Sequence, residues 1–465
     1  MGAAGISLQG LLGVLGYKMT GLTSSRADVV RTLIGAAPDS AIQSLDAALR
    51  GEAPGGSLSS VKTMVFEELR DRQVRDAVFG PLIPLFAPRA DGFDQLEFPR
   101  AALTRMWRAL KATYPAEAAA AAAAMPLRRH EDEPVPPIYD ELCLLSAQAL
   151  RAEQGDFAAV ADVTRRFRAG AEVELAACLD LARLAREVLR QLPAWLARMT
   201  EERQASVRIA FKDAVAVAED SGPRMMEILF AHLSEPWTIL RIVSAVMHQA
   251  GDRFISGSEL ADFGERLLRD IDRRAVFIKA FKYEDGGAAG RQAADGLRIA
   301  AAVAGEFQQS LTLSREGLWA DRLAKQKQSM AASAEMHLKK LEKLVGAALP
   351  MQPVRINGRT VRAEPKLDNP PDPAAVRCAQ AALAFFACIR TVAAQSGYGT
   401  MRAKVRDEVS YSLDTYLEEL LSILHSGDSQ HMDNARLFLD VAADFIGLVH
   451  DDQAAQIVRR RAAAA

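Results

Sequence analysis

Three observations predict an all-α fold for this 465-residue chain. Alanine, the strongest helix former, supplies 84 residues, about 18 %. Helix-starting and helix-stopping residues recur along nearly the whole length. Only one short stretch carries a clear β signal. The expected architecture is a multi-hairpin helical array, solenoid-like or an irregular bundle, with one small β-hairpin near 353–363.

The elements follow in order. Residues 6–19 form an apolar run that lacks a basic start and is interrupted by glycine, so it reads as a weak helix and not a signal peptide. Ser25 and Asp28 read as an N-cap and an acid in the first turn, ahead of Val29, Val30, Leu33 and Ile34. Pro81, Pro84 and Pro88 punctuate a loop, and a short helix follows around 103–110. Nine alanines fall between Ala112 and Ala124, and the charged, proline-rich stretch 126–137 then reads as an exposed linker. The predicted organisation is an N-terminal helical domain (1–112), an Ala/Pro-rich linker (113–137) and a central helical domain (138–349). A hairpin with an extended connector (350–373) and a C-terminal helical bundle (374–465) complete it.

Inside the central stretch, Ala149, Gly155, Asp156, Phe157 and Ala159 loosely resemble a tetratricopeptide hairpin. No second copy stands at a period of about 34 residues, so no repeat family follows. Ser256 to Glu259 reads as a capping box that opens a helix carrying Leu260, Phe263, Leu267, Ile271, Ile278 and Phe281 on one face. Residues 314–349 read as one long helix. Leu323, Met330, His337 and Leu344 recur at intervals of seven, with Ala320, Lys327, Ala334 and Leu341 as the companion series. Lys327 and His337 are the polar interruptions of this thin seam. It is suited to packing along its own domain or against a partner helix.

Asn357-Gly358 is the preferred dipeptide of a two-residue hairpin turn. A two-residue loop would pair Ile356 with Arg359 and Val354 with Val361, setting Arg355 and Arg362 on one face with Arg359 at the turn. This would be the most compact basic patch of the chain. Arg355, Arg359, Arg362, Lys327 and His337 are therefore the candidate partner-binding residues.

Composition narrows the function classes. The chain carries 57 Lys+Arg against 59 Asp+Glu, a formal charge of -2, which provides no general attraction to nucleic acid or an anionic membrane. Four cysteines, none in a C-x-x-C pair, suit a reducing cytoplasm. Arginine outnumbers lysine 44 to 13 and asparagine occurs three times, the signature of GC-rich coding in a bacterium. No stretch reaches the ~20 apolar residues of a membrane span.

Chemical motifs were sought and not found. Gly286 to Arg291 and Gly397 to Gly399 lack the spacing and the preceding strand of phosphate-binding loops, and read as turns between helices. None of the seven histidines stands in a zincin or di-iron motif. His431 and His450 would lie at opposite ends of one helix, ~28 Å apart at 1.5 Å per residue. At 248–260, His248, Ala250 and Arg253 occupy positions where a calcium loop needs oxygen ligands and glycine. No catalytic residue, metal or cofactor is therefore expected. The leading expectation is a non-catalytic cytoplasmic interaction or scaffold protein with protein partners or a second copy of itself. The alternatives are an enzyme whose site is assembled from distant helices and a peripheral membrane protein using residues 6–19.

Overall fold

The structure, a computed structural model, describes residues 24–50, 58–125, 135–247, 251–314, 317–356, 360–394, 396–426 and 431–464. The fold is 80 % helical, with a two-stranded antiparallel hairpin as the one sheet among these residues. The predicted fold class is observed. Residues 6–19, most of the 126–137 linker, Gly358 and Arg359 lie outside the described residues.

The chain divides into two compact units, 1–234 and 235–465. This cut falls inside the stretch the sequence presents as one central domain. The alanine run is no linker: Pro115–Ala124 is a helix whose Ala118 and Ala121 are buried. Small side chains let a neighbouring helix approach closely, and proline at the first turn starts the helix without losing a needed N–H.

In the first unit, α1 (Ser24–Ala36), α2 (Asp39–Leu49) and α3 (Ser59–Val78) share a core of Val30, Ile34, Ile42, Leu45, Leu49, Val61 and Val65. Helices α4 (Arg100–Thr113), α5 (Pro115–Ala124) and α6 (Pro137–Arg151) follow a proline-rich 3-10 turn at Gly80–Phe86. Then α7 (Phe157–Phe167), α8 (Ala171–Asp180), α9 (Ala182–Ala197), α10 (Glu201–Val217) and α11 (Ser221–His232) run as consecutive hairpins. Thr200 caps α10 by accepting from the Arg203 N–H.

Arginine side chains close the helix ends of this unit. The last carbonyls of a helix have no partner within it. Arg72 and Arg108 reach the end of α1, donating to Ile34 O at 3.2 Å and Gly35 O at 2.6 Å. Arg186 donates to Ala77 O at 2.8 Å and to Val78 O at the end of α3, while its Nε holds Asp140 at 2.9 Å. Arg203 reaches Ala194 O at 2.8 Å near the end of α9. Arg89 donates to Phe230 O at 2.8 Å and Leu233 O at 2.6 Å beyond α11, and pairs with Asp91. Five donors in a planar fork let one guanidinium serve two carbonyls and a carboxylate together, which an ammonium does less well.

In the second unit, α12 (Ile239–Val246), α13 (Asp252–Ile255), α14 (Ala261–Ala280), α15 (Gly287–Ser310) and α16 (Leu318–Ala348) precede the hairpin β1 (Met351–Ile356) and β2 (Thr360–Pro365). Helices α17 (Pro373–Cys388), α18 (Gly399–Ser426), α19 (Met432–Val449) and α20 (Asp452–Ala464) follow. The central element is α17, capped by Asp372 through the Ala374 N–H and packed against α15, α16 and α19. With the turn after it, 373–391 is the one segment among the described residues that is long and apolar enough to cross a membrane. Here its stretch Ala381–Phe386 is wholly buried within the unit.

Three local expectations change. The helix after Ser256–Glu259 starts at Ala261, and the Ser258 hydroxyl closes a turn by accepting from the Leu260 N–H at 3.2 Å. The hairpin pairs Ile356 with Thr360 and Val354 with Arg362, which leaves three residues, 357–359, in the connection instead of two. A one-residue change in register swaps faces, so Arg355 stands opposite Val361 and not on the side of Arg362. Helix α16 spans 31 residues, ~46 Å, but buries Trp319, Gln326 and Ser333 beside Leu323, Met330 and His337. The companion series of the seam thus begins one residue earlier than expected, and Lys327 is left at the margin.

Candidate functional sites

His337 lies in the core of the second unit, 3 % exposed. Its Nε2 is 2.8 Å from Ile278 O and its Nδ1 is 2.6 Å from the Tyr283 hydroxyl. This pairing assigns the proton to Nε2, with the phenol donating to Nδ1. Phe281, Tyr283 and Phe385 surround the ring at 5.3, 5.7 and 5.3 Å. Burial, with Lys340 nearby, holds the imidazole below its ordinary pKa, and burial pushes the Tyr283 phenol up to about 12. The histidine is a neutral clasp on the end of α14. It presents no free nitrogen to a partner.

Arg362 pairs with Glu419 of α18, its Nε at 3.0 Å from Oε1, and fastens β2 to that helix. It is an engaged residue, not part of a free basic patch. The Arg355 side chain and Arg359 lie outside the described residues.

Lys327 is half-buried on the rim of a cleft of about 260 Å³ between α15, α16 and the turn before α18. Its Nζ is 3.4 Å from Gln308 Oε1. Leu297, Ala301, Ala304 and Met330 supply the apolar wall, and Tyr398 lies at the other side. Tyr398 is 1 % exposed, with its hydroxyl buried beside Ser396. Burial pushes this phenol up to about 12, so it remains a donor at neutral pH. Sequence reasoning picked out Lys327 as an interruption of the heptads but had no means to find Tyr398, which is 71 residues away in the chain.

A larger, more open cleft of about 490 Å³ is lined by Arg291, Gln380, Asp444, Asp452 and Arg459. Its charges are partly spent on each other, since Arg459 pairs with Asp444. The glycines at its edge are packing residues. A Cβ on Gly290 would stand 2.1 Å from Ala381 O, so α15 meets α17 backbone to backbone there. The stretch 286–291 is therefore not the turn the sequence suggests: Gly286 is the N-cap and residues 287–291 are the first turns of α15. Among the described residues, no three His, Cys, Asp or Glu side chains group to hold a metal ion.

In the first unit, the α7–α8 and α10–α11 turns meet at one carboxylate. Glu174 pairs with Arg168 at 3.6 Å and with Arg224 at 3.3 Å, and Arg224 also reaches Asp220 at 3.6 Å. Phe167 and Val173, next in the chain to Arg168 and Glu174, and Val217, the last residue of α10, are 52, 62 and 49 % exposed.

Comparison with protein-family models, curated proteins and solved structures finds no match to this chain.

Proposed function

We propose that this chain is a non-catalytic helical interaction or scaffold protein of the cytoplasm, acting through protein–protein contacts. The supporting observation is the pair of hairpin tips in the first unit. There, Phe167, Val173 and Val217 leave apolar surface in water on the elements that meet through the ion pairs of Glu174. Exposed apolar side chains on elements that also carry ion pairs are a pattern found at contact surfaces. The free thiols of all four cysteines suit a reducing compartment.

The test is affinity purification of the full tagged chain from its native lysate, with light scattering on the purified protein. A reproducible set of retained proteins, or a mass above the 50.4 kDa of one chain, is expected. Repeatedly empty purifications together with a monomeric mass would contradict the proposal.

A further inference from the structure

We propose that α10 pairs antiparallel with α10 of a second copy of this chain, as a symmetric dimer contact. This rests on the reading of the chain as an interaction protein and names one partner for it. Three observations lead there. First, α10 keeps one side against its own unit and the other in water. Val207 and Ala214, seven residues apart, are its buried residues. Arg203 and Ser206 bond to Ala194 O and Gln191 Oε1 of α9, each at 2.8 Å, and the Phe211 ring lies on Gly222 of α11. At ~100° per residue, the side opposite Val207 and Ala214 carries Glu202, Ala205, Ile209, Lys212 and Ala216. Ala205 is half-buried and the other four are exposed, Ile209 at 59 %.

Second, these five residues follow one another at three, four, three and four positions, the spacing of a two-helix seam. Ala205 and Ala216 let a second helix approach closely, and Ile209 is the side chain it would cover. Third, the charges of the seam complement themselves in one orientation. In an antiparallel pair centred at the level of Val207, Glu202 stands opposite the partner's Lys212, and Ala205 opposite the partner's Ile209. The twofold axis repeats both pairs. A parallel pair would instead set each charge against its own copy, which repels. Neither Glu202 nor Lys212 has an ion pair within its own chain among the described residues, so both charges are available. The helix has 17 residues and is ~25 Å long, so the contact is small and the dimer reversible.

The experiment is sedimentation equilibrium of the full chain at rising concentration through the micromolar range. The mass is expected to climb from 50.4 kDa toward twice that value. Lys212→Glu and Glu202→Lys are each expected to weaken self-association at least about tenfold, because each sets like charges opposite one another twice. The double variant Glu202→Lys, Lys212→Glu restores both pairs with the charges exchanged, and is expected to associate within about threefold of the wild type. Mixing the two single variants is expected to give a mixed dimer although neither pairs with itself. Ile209→Asp is expected to leave a monomer. These positions are exposed, so the variants should melt with the wild type. Should Ile209→Asp not fold, Ile209→Ser takes its place. A monomer at every concentration, a dimer indifferent to Lys212→Glu and Ile209→Asp, or no rescue by the charge exchange would overturn the pairing. A monomer that still retains proteins from the lysate overturns the pairing alone, whereas a monomer with empty purifications contradicts the interaction reading as well.

Discussion

The two units join their helices by different means. The first unit sends arginines to distant helix ends: Arg89 closes α11 from 141 residues away in the chain, and Arg186 closes α3 from 109. The second unit relies more on contact between small residues. Gly290 admits the Ala381 carbonyl, backbone against backbone, whereas the tightest glycine contact of the first unit is with a side chain, the ring of Phe211 at 2.5 Å from a Cβ on Gly222. There His337 and Arg402, donating to Ile278 O and Phe386 O, are the counterparts of the arginine closures. One unit satisfies its exposed carbonyls by long polar side chains, while the other shortens the distance between backbones. The first solution tolerates irregular helix junctions and leaves hairpin tips free at the surface.

This contrast can be broken at its strongest points. Arg89→Met removes the guanidinium donor to Phe230 O and Leu233 O and the ion pair with Asp91, and should cost about 2–3 kcal/mol in urea unfolding. Arg89→Lys sharpens the test, because an ammonium recovers the charge but not the fork. It should restore less than half of the loss. In the second unit, Gly290→Ala should cost about 2–3 kcal/mol, since the obstruction is backbone and cannot rotate away. A loss at either position no larger than that of Arg31→Ala, at an exposed arginine, would remove the distinction drawn here.

Acid reaches a buried histidine in each unit, His232 and His337, and the Asp39 network only in the first. Burial raises the Asp39 carboxyl, but hydrogen bonds from Arg100 and Arg72 and the charge of Arg75 outweigh it and hold the group at about 2. A depressed carboxylate contributes stability above its unfolded pKa of 3.8, and this contribution is lost as pH falls toward about 2. His337 is depressed by burial, so its contribution is present above 6.5 and is lost as pH falls through its lower folded value. His232 of the first unit is depressed by burial in the same way, so both units should begin to weaken below pH 6.5, before the Asp39 network is touched. His337→Phe should flatten that part of a melting-temperature profile. An unchanged profile would show that the clasp on Ile278 is not what titrates. The smallest effect expected is that of Arg362→Ala, within about 0.5 kcal/mol, because the Glu419 pair is half in water.

The sequence made much of the fold legible and little of the sites. Alanine content and cap spacing announced the helices, and the sevenfold recurrence of Leu323, Met330 and His337 announced α16. These are local signals with a local cause. The hairpin was also legible, but Asn357-Gly358 implied a two-residue loop and therefore the wrong pairing of Val354. The arginine excess looked like coding bias alone, yet Arg72, Arg89, Arg108, Arg186 and Arg203 each hold a helix end. Their targets are backbone carbonyls, which carry no sequence identity, so no pattern could reveal them. His337 looked like an interruption for the same reason: one of its two partners is a carbonyl and the other is Tyr283, 54 residues before it.

The central claim concerns the hairpin tips, and one comparison tests it most directly. The full chain and a Phe167→Ser, Val173→Ser, Val217→Ser variant are used side by side to capture proteins from the native lysate, with quantitative mass spectrometry as the readout. All three positions are exposed, so the variant should melt at the same temperature as the wild type. The account predicts that proteins retained by the wild type are lost at least about tenfold from the variant, as removal of apolar anchors from a contact surface implies. Equal retention by both folded proteins would contradict it.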